Sequence, residues 1–414
     1  MVSTSDPQSM ERRAGRGRRR VLCVAGWWPG ANDVAGVFIK EHVQAIAMKN
    51  EVEVIHLVVE KCPAWMPSIR TVTALEDGVR VHRITIRTPV RRFGFDRRLA
   101  RFALRRSILR SHHADPFHLV HIHVRTDVTE EVIPTAEELG LPVVLTEHNS
   151  YYHLGIRALP PKEQVAERNR IRAWLGRPII RRVMPVSNDL ANVLHEDYGV
   201  ERERMHIVPN IAAAVFSFGS PPLPPPFRLV LAAQWRPPKD HDVFIMALSL
   251  LPKTYKDLCH IDWIGGGPDL SRIQERCRTE LPAMNIRFPG LLPKAALAEF
   301  MQKAHLFVLP TKSDNLPCVV LESLCCGTPV ISMAVNGVPE LINGTNGILV
   351  PPSDPVALSK ALMECVDQPD RWDRGNIALE ARARYGAKAV AVGIGAVYDL
   401  ASGSNGRTWK GVLR

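Results

Sequence analysis

The sequence predicts an α/β protein made of two doubly wound, parallel-sheet lobes that face each other across a cleft. Two features predict it: short β-branched runs alternate with helical-period stretches twice over, and a proline-rich break separates the two series. Length is the third, because 414 residues exceed one ordinary domain and suit two of about 150–200 residues.

In the first series Val21–Ala25, Val52–Val58, Val81–Ile86, Leu119–Val124, Val143–Leu145 and Val183–Val186 read as strands. Val37–Met48 and Glu130–Leu139 read as amphipathic helices between them. Ser217–Pro226, SFGSPPLPPP, then interrupts the pattern. Its prolines forbid helix and ladder pairing and favour a stiff, extended linker. Strand signals resume at Leu229–Ala233, Ile261–Ile264, Ile286–Phe288, Leu306–Leu309, Val330–Ser332 and Ile348–Val350. The expected division is a disordered basic tail (1–19), a first Rossmann-like domain (20–216), the linker (217–226) and a second Rossmann-like domain (227–385). A C-terminal helix returning toward the first domain, and a tail, fill 386–414. Sheets of this kind take their ligands at the carboxyl ends of the strands, which places the expected site in the cleft.

Composition narrows the function classes. The apolar share of 46% is that of ordinary globular proteins. The longest apolar runs fall well short of the ~20 residues needed to cross a bilayer, and no signal-peptide core follows the basic N-terminus. Eight cysteines are scattered without a CxxC pair, which argues against a zinc ribbon or disulfide scaffold and for reduced thiols in the cytoplasm. The net charge of +11 is uneven: Arg12–Arg20 holds six arginines, and Arg87–Arg110 holds nine and no lysine. That balance favours anionic substrates or a polyanionic surface. No RNP, zinc-finger or helix-turn-helix pattern supports nucleic acid as that partner.

Three features of the second half carry chemistry. Ala232–Asp242, AAQWRPPKDHD, places Arg236 and Lys239 at a strand-to-helix turn. Each can hold a diphosphate through charge-assisted bonds worth about 1.5–3 kcal/mol. The same turn can be read as a plain solvated loop with Asp240 as helix cap, and Asp240-His241-Asp242 as a DxD metal site without a further acidic ligand. Gly265-Gly266-Gly267 directly follows a strand, where glycine lets backbone approach a ligand or simply makes a tight turn. The strongest feature is SDNLPCVVLESLCCGTPV, Ser313–Val330. Pro317 suits a first helical turn, the helix Pro317–Cys326 stops at Gly327, and its start offers free amides to an anion. Asp314 precedes this helix and Glu322 lies eight positions on, among apolar neighbours that would make an unpaired carboxylate costly.

These residues in this order resemble the retaining glycosyltransferases of GT-B fold, family 4, over Val21 to about Tyr398. The resemblance also rests on GVFIKEHVQAIA, Thr146-Glu147-His148, Pro185-Val186-Ser187, Val208-Pro209-Asn210, Phe288–Leu292, Asn336–Leu341 and Asn346–Pro352. It implies an acceptor-side first domain and a second domain that binds a nucleoside-diphosphate sugar, with no cofactor beyond that donor and no metal. Lys239 falls on the family's diphosphate lysine, while the usual arginine falls on Gln234, with Arg236 two positions on. Asp314 and Glu322 fall on the family's E-x7-E pair, for the transferred sugar and the donor ribose. Cys318 and Val319 become the phosphate-binding amides, because Pro317 has none. His148 falls on a histidine near the transferred sugar, Gly36 on the glycine of the first strand-to-helix loop, and Gly266 lies in the turn beside the donor. His148, Lys239 and Asp314 are thus the expected catalytic residues.

The implied activity is sugar transfer with retention to a carbohydrate or lipid-linked hydroxyl, in polysaccharide or glycolipid synthesis. A GT-B-shaped sugar-nucleotide 2-epimerase is the alternative on the same donor. Phe95, Leu99, Phe102 and Leu109 recur at helical spacing among the arginines of Arg87–Arg110. That helix is expected either to lie on an anionic membrane or to pack its apolar stripe on the sheet.

Overall fold

The structure, a computed structural model, describes residues 18–30, 36–61, 68–88 and 95–403. Most of the basic tail, the C-terminal tail from 404, Arg91, Arg92 and Cys62 lie outside the described residues.

The first lobe runs β1 (Arg20–Ala25), α1 (Val37–Ala47), β2 (Glu51–Lys61), β3 (Ser68–Glu76), β4 (Val79–Thr88), α2 (Phe95–Ala114), β5 (Leu119–His123), α3 (Ile133–Glu138), β6 (Val143–Glu147), α4 (Pro161–Leu175), β7 (Ile180–Pro185) and α5 (Asn188–Glu196). Its seven strands form one sheet in the order β3-β4-β2-β1-β5-β6-β7. All neighbours are parallel except β3 and β4. β1, β5 and β6 are buried along their whole length, which is why they read as unbroken apolar runs.

β3 is the strand that the sequence pattern did not announce. Eight of its nine residues are exposed, so no buried face imposes a period of two. The turn that makes it is local: Asp77 and Gly78 both adopt positive φ, 48° and 81°, the Asp-Gly geometry of a tight hairpin.

The second lobe runs β8 (Phe227–Ala232), α6 (His241–Leu250), α7 (Lys253–Leu258), β9 (Cys259–Ile264), α8 (Leu270–Glu280), β10 (Asn285–Gly290), α9 (Lys294–Lys303), β11 (Leu306–Leu309), α10 (Cys318–Cys325), β12 (Val330–Met333), β13 (Gly347–Val350), α11 (Pro355–Asp367) and α12 (Arg374–Tyr385). Its six parallel strands are ordered β10-β9-β8-β11-β12-β13. Trp235, Trp263, Phe244 and Phe307 are fully buried in its core. Strand order reverses beside β1 in one sheet and beside β8 in the other, and such switch points open a crevice at the carboxyl ends.

After α12 the chain returns to the first lobe. α13 (Ala387–Ala401) buries Val390, Ile394, Val397 and Tyr398 with β1 and α1 residues. Tyr398 Oη and His121 Nδ1 stand 2.7 Å apart, both fully buried. Tyr398→Phe strands that imidazole nitrogen, and a buried polar atom left without its partner costs about 1–3 kcal/mol. Denaturant unfolding of the variant is expected to show a loss of that size.

Candidate functional site

The sequence-predicted residues sit at the carboxyl ends of the two sheets. Gly36 follows β1, His148 follows β6, Arg236 and Lys239 follow β8, Gly266 follows β9, and Asp314 follows β11. The two sets face each other. Asn315 Nδ2 donates to the His148 carbonyl at 3.0 Å, and Asn210 Nδ2 to the Leu316 carbonyl at 2.7 Å. Glu340 of the second lobe accepts from the Asn188 and Asp189 amides at 2.8 Å each. Those amides open α5, so the carboxylate meets a positive helix end.

In the second lobe Lys239 and Asp314 form an ion pair, both three-quarters buried or more. The loops that carry them are tied together: the Asp240 amide donates to the Pro310 carbonyl at 3.0 Å and the Lys312 amide to the Pro238 carbonyl at 2.9 Å. α10 begins at Cys318 with Pro317 as its cap. The helix is thus one residue shorter at each end than the sequence suggests. Val320 is the first amide of the helix to find a carbonyl, Pro317's, at 3.0 Å. The Cys318 and Val319 amides remain donors for an anion among the described residues.

Glu322 is buried, but it is not unpaired. Lys294, at the start of α9, donates to Glu322 at 3.0 Å and also holds Glu41 of α1. One ammonium therefore serves two buried carboxylates from opposite lobes. Burial pushes Glu41 up to about 7 against the pull of Lys294, and Glu322 adds repulsion. Burial opposes the charge on Lys294, yet Glu322 and Glu41 together hold its pKa above the usual lysine value. Burial raises the Cys318 thiol, and Glu322, Glu41, Lys294 and Asp314 all act on it. The acids and lysines thus cluster around the start of α10. Neither Lys294 nor Glu41 was picked out from sequence, although Glu41 lies within GVFIKEHVQAIA.

Other predicted residues stand differently. Arg236 is exposed and turns its Nε to Gln234 at 2.7 Å, so the two residues that compete for the family arginine's place bond to each other. Gly265 and Gly267 have φ of 133° and 152°. A Cβ on Gly265 would meet the Ala233 carbonyl oxygen at 1.9 Å, while one on Gly266 finds nothing nearer than Leu291 Cβ at 4.0 Å. The flanking glycines make the turn, and the middle one leaves open space. Gly36 has φ 81° and would strike the Trp27 backbone at 2.7 Å, so it fixes the loop that enters α1.

Asp240 and Asp242 are each taken. Asp240 accepts from Ser353 Oγ at 3.0 Å, lies 3.3 Å from Lys312 and makes no side-chain cap. Asp242 pairs with Arg272 and Arg276. His148 Nδ1 lies 2.8 Å from Asn210 Oδ1, and its ring packs on Phe38 at 4.7 Å. Burial holds its pKa well below the ordinary histidine value, with His42 adding to the shift.

Lys294→Met leaves two carboxylates facing each other without a cation. The expected loss is about 3 kcal/mol at pH 8, the low end for a broken buried pair because Lys294 keeps a third of its surface in water. Glu41 titrates folded near 7 and unfolded near 4.5; it contributes stability below 4.5 that is lost as pH rises through 7. Denaturant unfolding of the variant should therefore show a smaller deficit at pH 5 than at pH 8.

Comparison with known proteins matches this geometry. A family model described as Glycosyltransferase Family 4 covers residues 35–212, and one described as Glycosyl transferases group 1 covers residues 226–368. A D-inositol 3-phosphate glycosyltransferase of Thermobispora bispora is 34% identical over 118 residues, 28% of each chain. One from Catenulispora acidiphila is 28% identical over 222 residues, 51% of this chain and 48% of that one. A 2-deoxystreptamine N-acetyl-D-glucosaminyltransferase of Streptomyces fradiae is 32% identical over 130 residues, 31% of each. The chain therefore spans half or less of the length of these relatives. Among solved structures, sucrose-phosphate synthase from Thermosynechococcus elongatus superposes with a TM-score of 0.66 at 18% identity, over 92% of this chain and 98% of that one. Anabaena HepE, solved with UDP and glucose, gives a TM-score of 0.67 at 14% identity over the same shares. With both lobes matched in order and the architecture shared end to end, the chain belongs to the family 4, group 1 glycosyltransferases of GT-B fold.

Proposed function

We propose that the protein transfers a sugar, with retention of anomeric configuration, from a nucleoside-diphosphate sugar to a hydroxyl of a carbohydrate or lipid-linked acceptor. One observation carries the reading: Lys239, Asp314, Glu322 and the open amides of Cys318 and Val319 converge on one end of the second sheet, facing the first lobe. Anabaena HepE, of the same fold, was solved with UDP and glucose, which fits a nucleotide-sugar donor.

In this reading the diphosphate replaces Asp314 as the partner of Lys239 and takes the two α10 amides. Lysine and helix start then stabilise the charge that develops as the anomeric bond breaks. Asp314, released, accepts sugar hydroxyls, and Glu322 faces the ribose from the far side of Cys318. A departing phosphate oxygen takes the acceptor proton on the same face, so no carboxylate need act as nucleophile. The diphosphate charge is met by protein groups, because the nearby carboxylates Asp240 and Asp242 already hold cations. Synthesis of a polysaccharide or glycolipid is the role this chemistry suits.

Loss of a charge-assisted contact of about 1.5–3 kcal/mol sets the size of the test. Lys239→Ala is expected to weaken UDP, GDP or ADP binding, whichever the wild type takes, by about 10–150-fold in calorimetry. Proton NMR of the product should show the donor's anomeric configuration. Wild-type protein that binds no nucleoside diphosphate, or an inverted product, would refute the reading.

Membrane contact is proposed for the acceptor side. No helix among the described residues is long and apolar enough to cross a membrane. α2 buries Ala100, Ala103, Leu104 and Ile108 against the sheet, not Phe102, which is 57% exposed. Arg97, Arg101 and Arg105 are neutralised by Glu130, Glu131 and Glu138. Arg98, Arg106 and Arg110 are exposed, have no ion pair among the described residues, and share one face with Phe102 at four-residue steps. That basic-aromatic ridge suits an anionic lipid surface. Sedimentation with phosphatidylglycerol vesicles should pellet the protein, and replacing the three arginines by glutamate should abolish it.

A further inference from the structure

Four histidines of the first lobe lie together behind the cleft: His42 on α1, His121 and His123 on β5, and His148 just after β6. The rings of His42 and His148 are 5.0 Å apart, those of His42 and His123 5.8 Å, and those of His123 and His148 6.1 Å. Each of these three offers a nitrogen, and the three nitrogens all lie within 4.8 Å of one another.

Their hydrogen bonding is incomplete. Both nitrogens of His123 and Nε2 of His148 are buried without a hydrogen-bond partner among the described residues, and His42 meets only the Pro209 backbone through one nitrogen. A buried polar atom without a partner costs about 1–3 kcal/mol, and four of them in one cluster is a large cost for three rings that apolar residues could replace. The fourth ring shows the contrast. His121 bonds Tyr398 Oη at 2.7 Å and Thr146 Oγ1 at 2.6 Å, so both of its nitrogens are used.

We propose that His42, His123 and His148 form a three-imidazole site for a divalent first-row transition ion, zinc being the ion of choice. The donor set is that of three-histidine zinc sites, with Zn–N of about 2.0–2.1 Å and one position left for water or a substrate hydroxyl. On a tetrahedral ion the nitrogens stand about 3.4 Å apart, so the rings must converge by roughly an ångström. The carboxamide oxygen of Asn210 on His148 Nδ1 fixes the tautomer that presents Nε2 as a lone pair, the usual outer support of a ligating histidine. The neighbouring set Cys23, His121 and His123 suits an ion less well, because both nitrogens of His121 are already bonded. The site lies in the first lobe; because His148 is also the residue expected beside the transferred sugar and its carbonyl holds Asn315, metal binding and not transfer activity is the readout that separates this proposal from the donor reading.

Chelator-stripped full-length protein titrated with Co²⁺, and in competition with Zn²⁺, tests this. One ion per chain is expected, with the intense visible absorption of four-coordinate cobalt and a raised thermal unfolding midpoint. His42→Gln and His123→Gln, checked for folding by circular dichroism, should weaken Co²⁺ binding by about a hundredfold or more, while Cys23→Ala should leave it unchanged. Absence of binding to the folded wild type at micromolar metal would overturn the proposal. So would binding that survives both histidine variants, or a thiolate-to-cobalt band that disappears in Cys23→Ala.

Discussion

Two lobes meet over a shortage of positive charge. Glu41 and Glu322 approach from opposite sides and share the single ammonium of Lys294, and a buried charge is tolerated only when it is paired. The pairing orients α1 toward α9 and α10, while burial and the nearby Glu322 carboxylate lift the Glu41 carboxyl to about 7 against the pull of Lys294. The Lys239–Asp314 pair repeats the arrangement within the second lobe. Each carboxylate at the donor end therefore has a cation before any ligand arrives. On the proposed reading an incoming diphosphate exchanges one of these partners instead of entering an uncompensated field.

Around that charge balance several polar contacts between the lobes involve backbone groups, beside side-chain pairs such as Asn336 Nδ2 with His153 Nδ1 at 3.2 Å. Asn315 and Asn210 bond carbonyls of the opposite lobe, and Glu340 takes the first amides of α5. Asn315 adjoins Asp314, and Asn210 also touches His148. A displacement of the sugar-binding loop would therefore be felt at the histidine cluster, since packed side chains and hydrogen bonds transmit displacement between neighbours. The C-terminal helix α13 adds a covalent route between the lobes: it leaves α12 of the second and buries Tyr398 against His121 of the first.

The central strands were legible in the sequence because a parallel strand buried on both faces is an unbroken apolar run, and the lobe boundary because proline stops both helix and sheet. The helix after Pro317 and its Gly327 stop, with φ 77°, were legible for the same local reason, to within one residue at each end. Exposed β3 was not, since with no buried face its side chains carry no period. The apolar stripe of α2 was misplaced by one turn edge: Phe102 is large but faces solvent, while small Ala100 and Ala103 face the sheet, a choice made by the space between helix and strands.

The sequence by itself determined the order of elements, the turns that need glycine and the chemical types gathered near Asp314, because these follow from backbone sterics, period and local capping. Only the tertiary structure decided the pairings. Lys294 opens an ordinary-looking amphipathic helix, Glu41 and His42 sit in a helix some 250 residues earlier in the chain, and His123 and His148 end neighbouring strands. Such partners are set by which strand ends meet across the sheets. No local pattern encodes that distance, since a carboxylate or an imidazole reads the same in sequence whether its partner is water or a side chain from the other lobe.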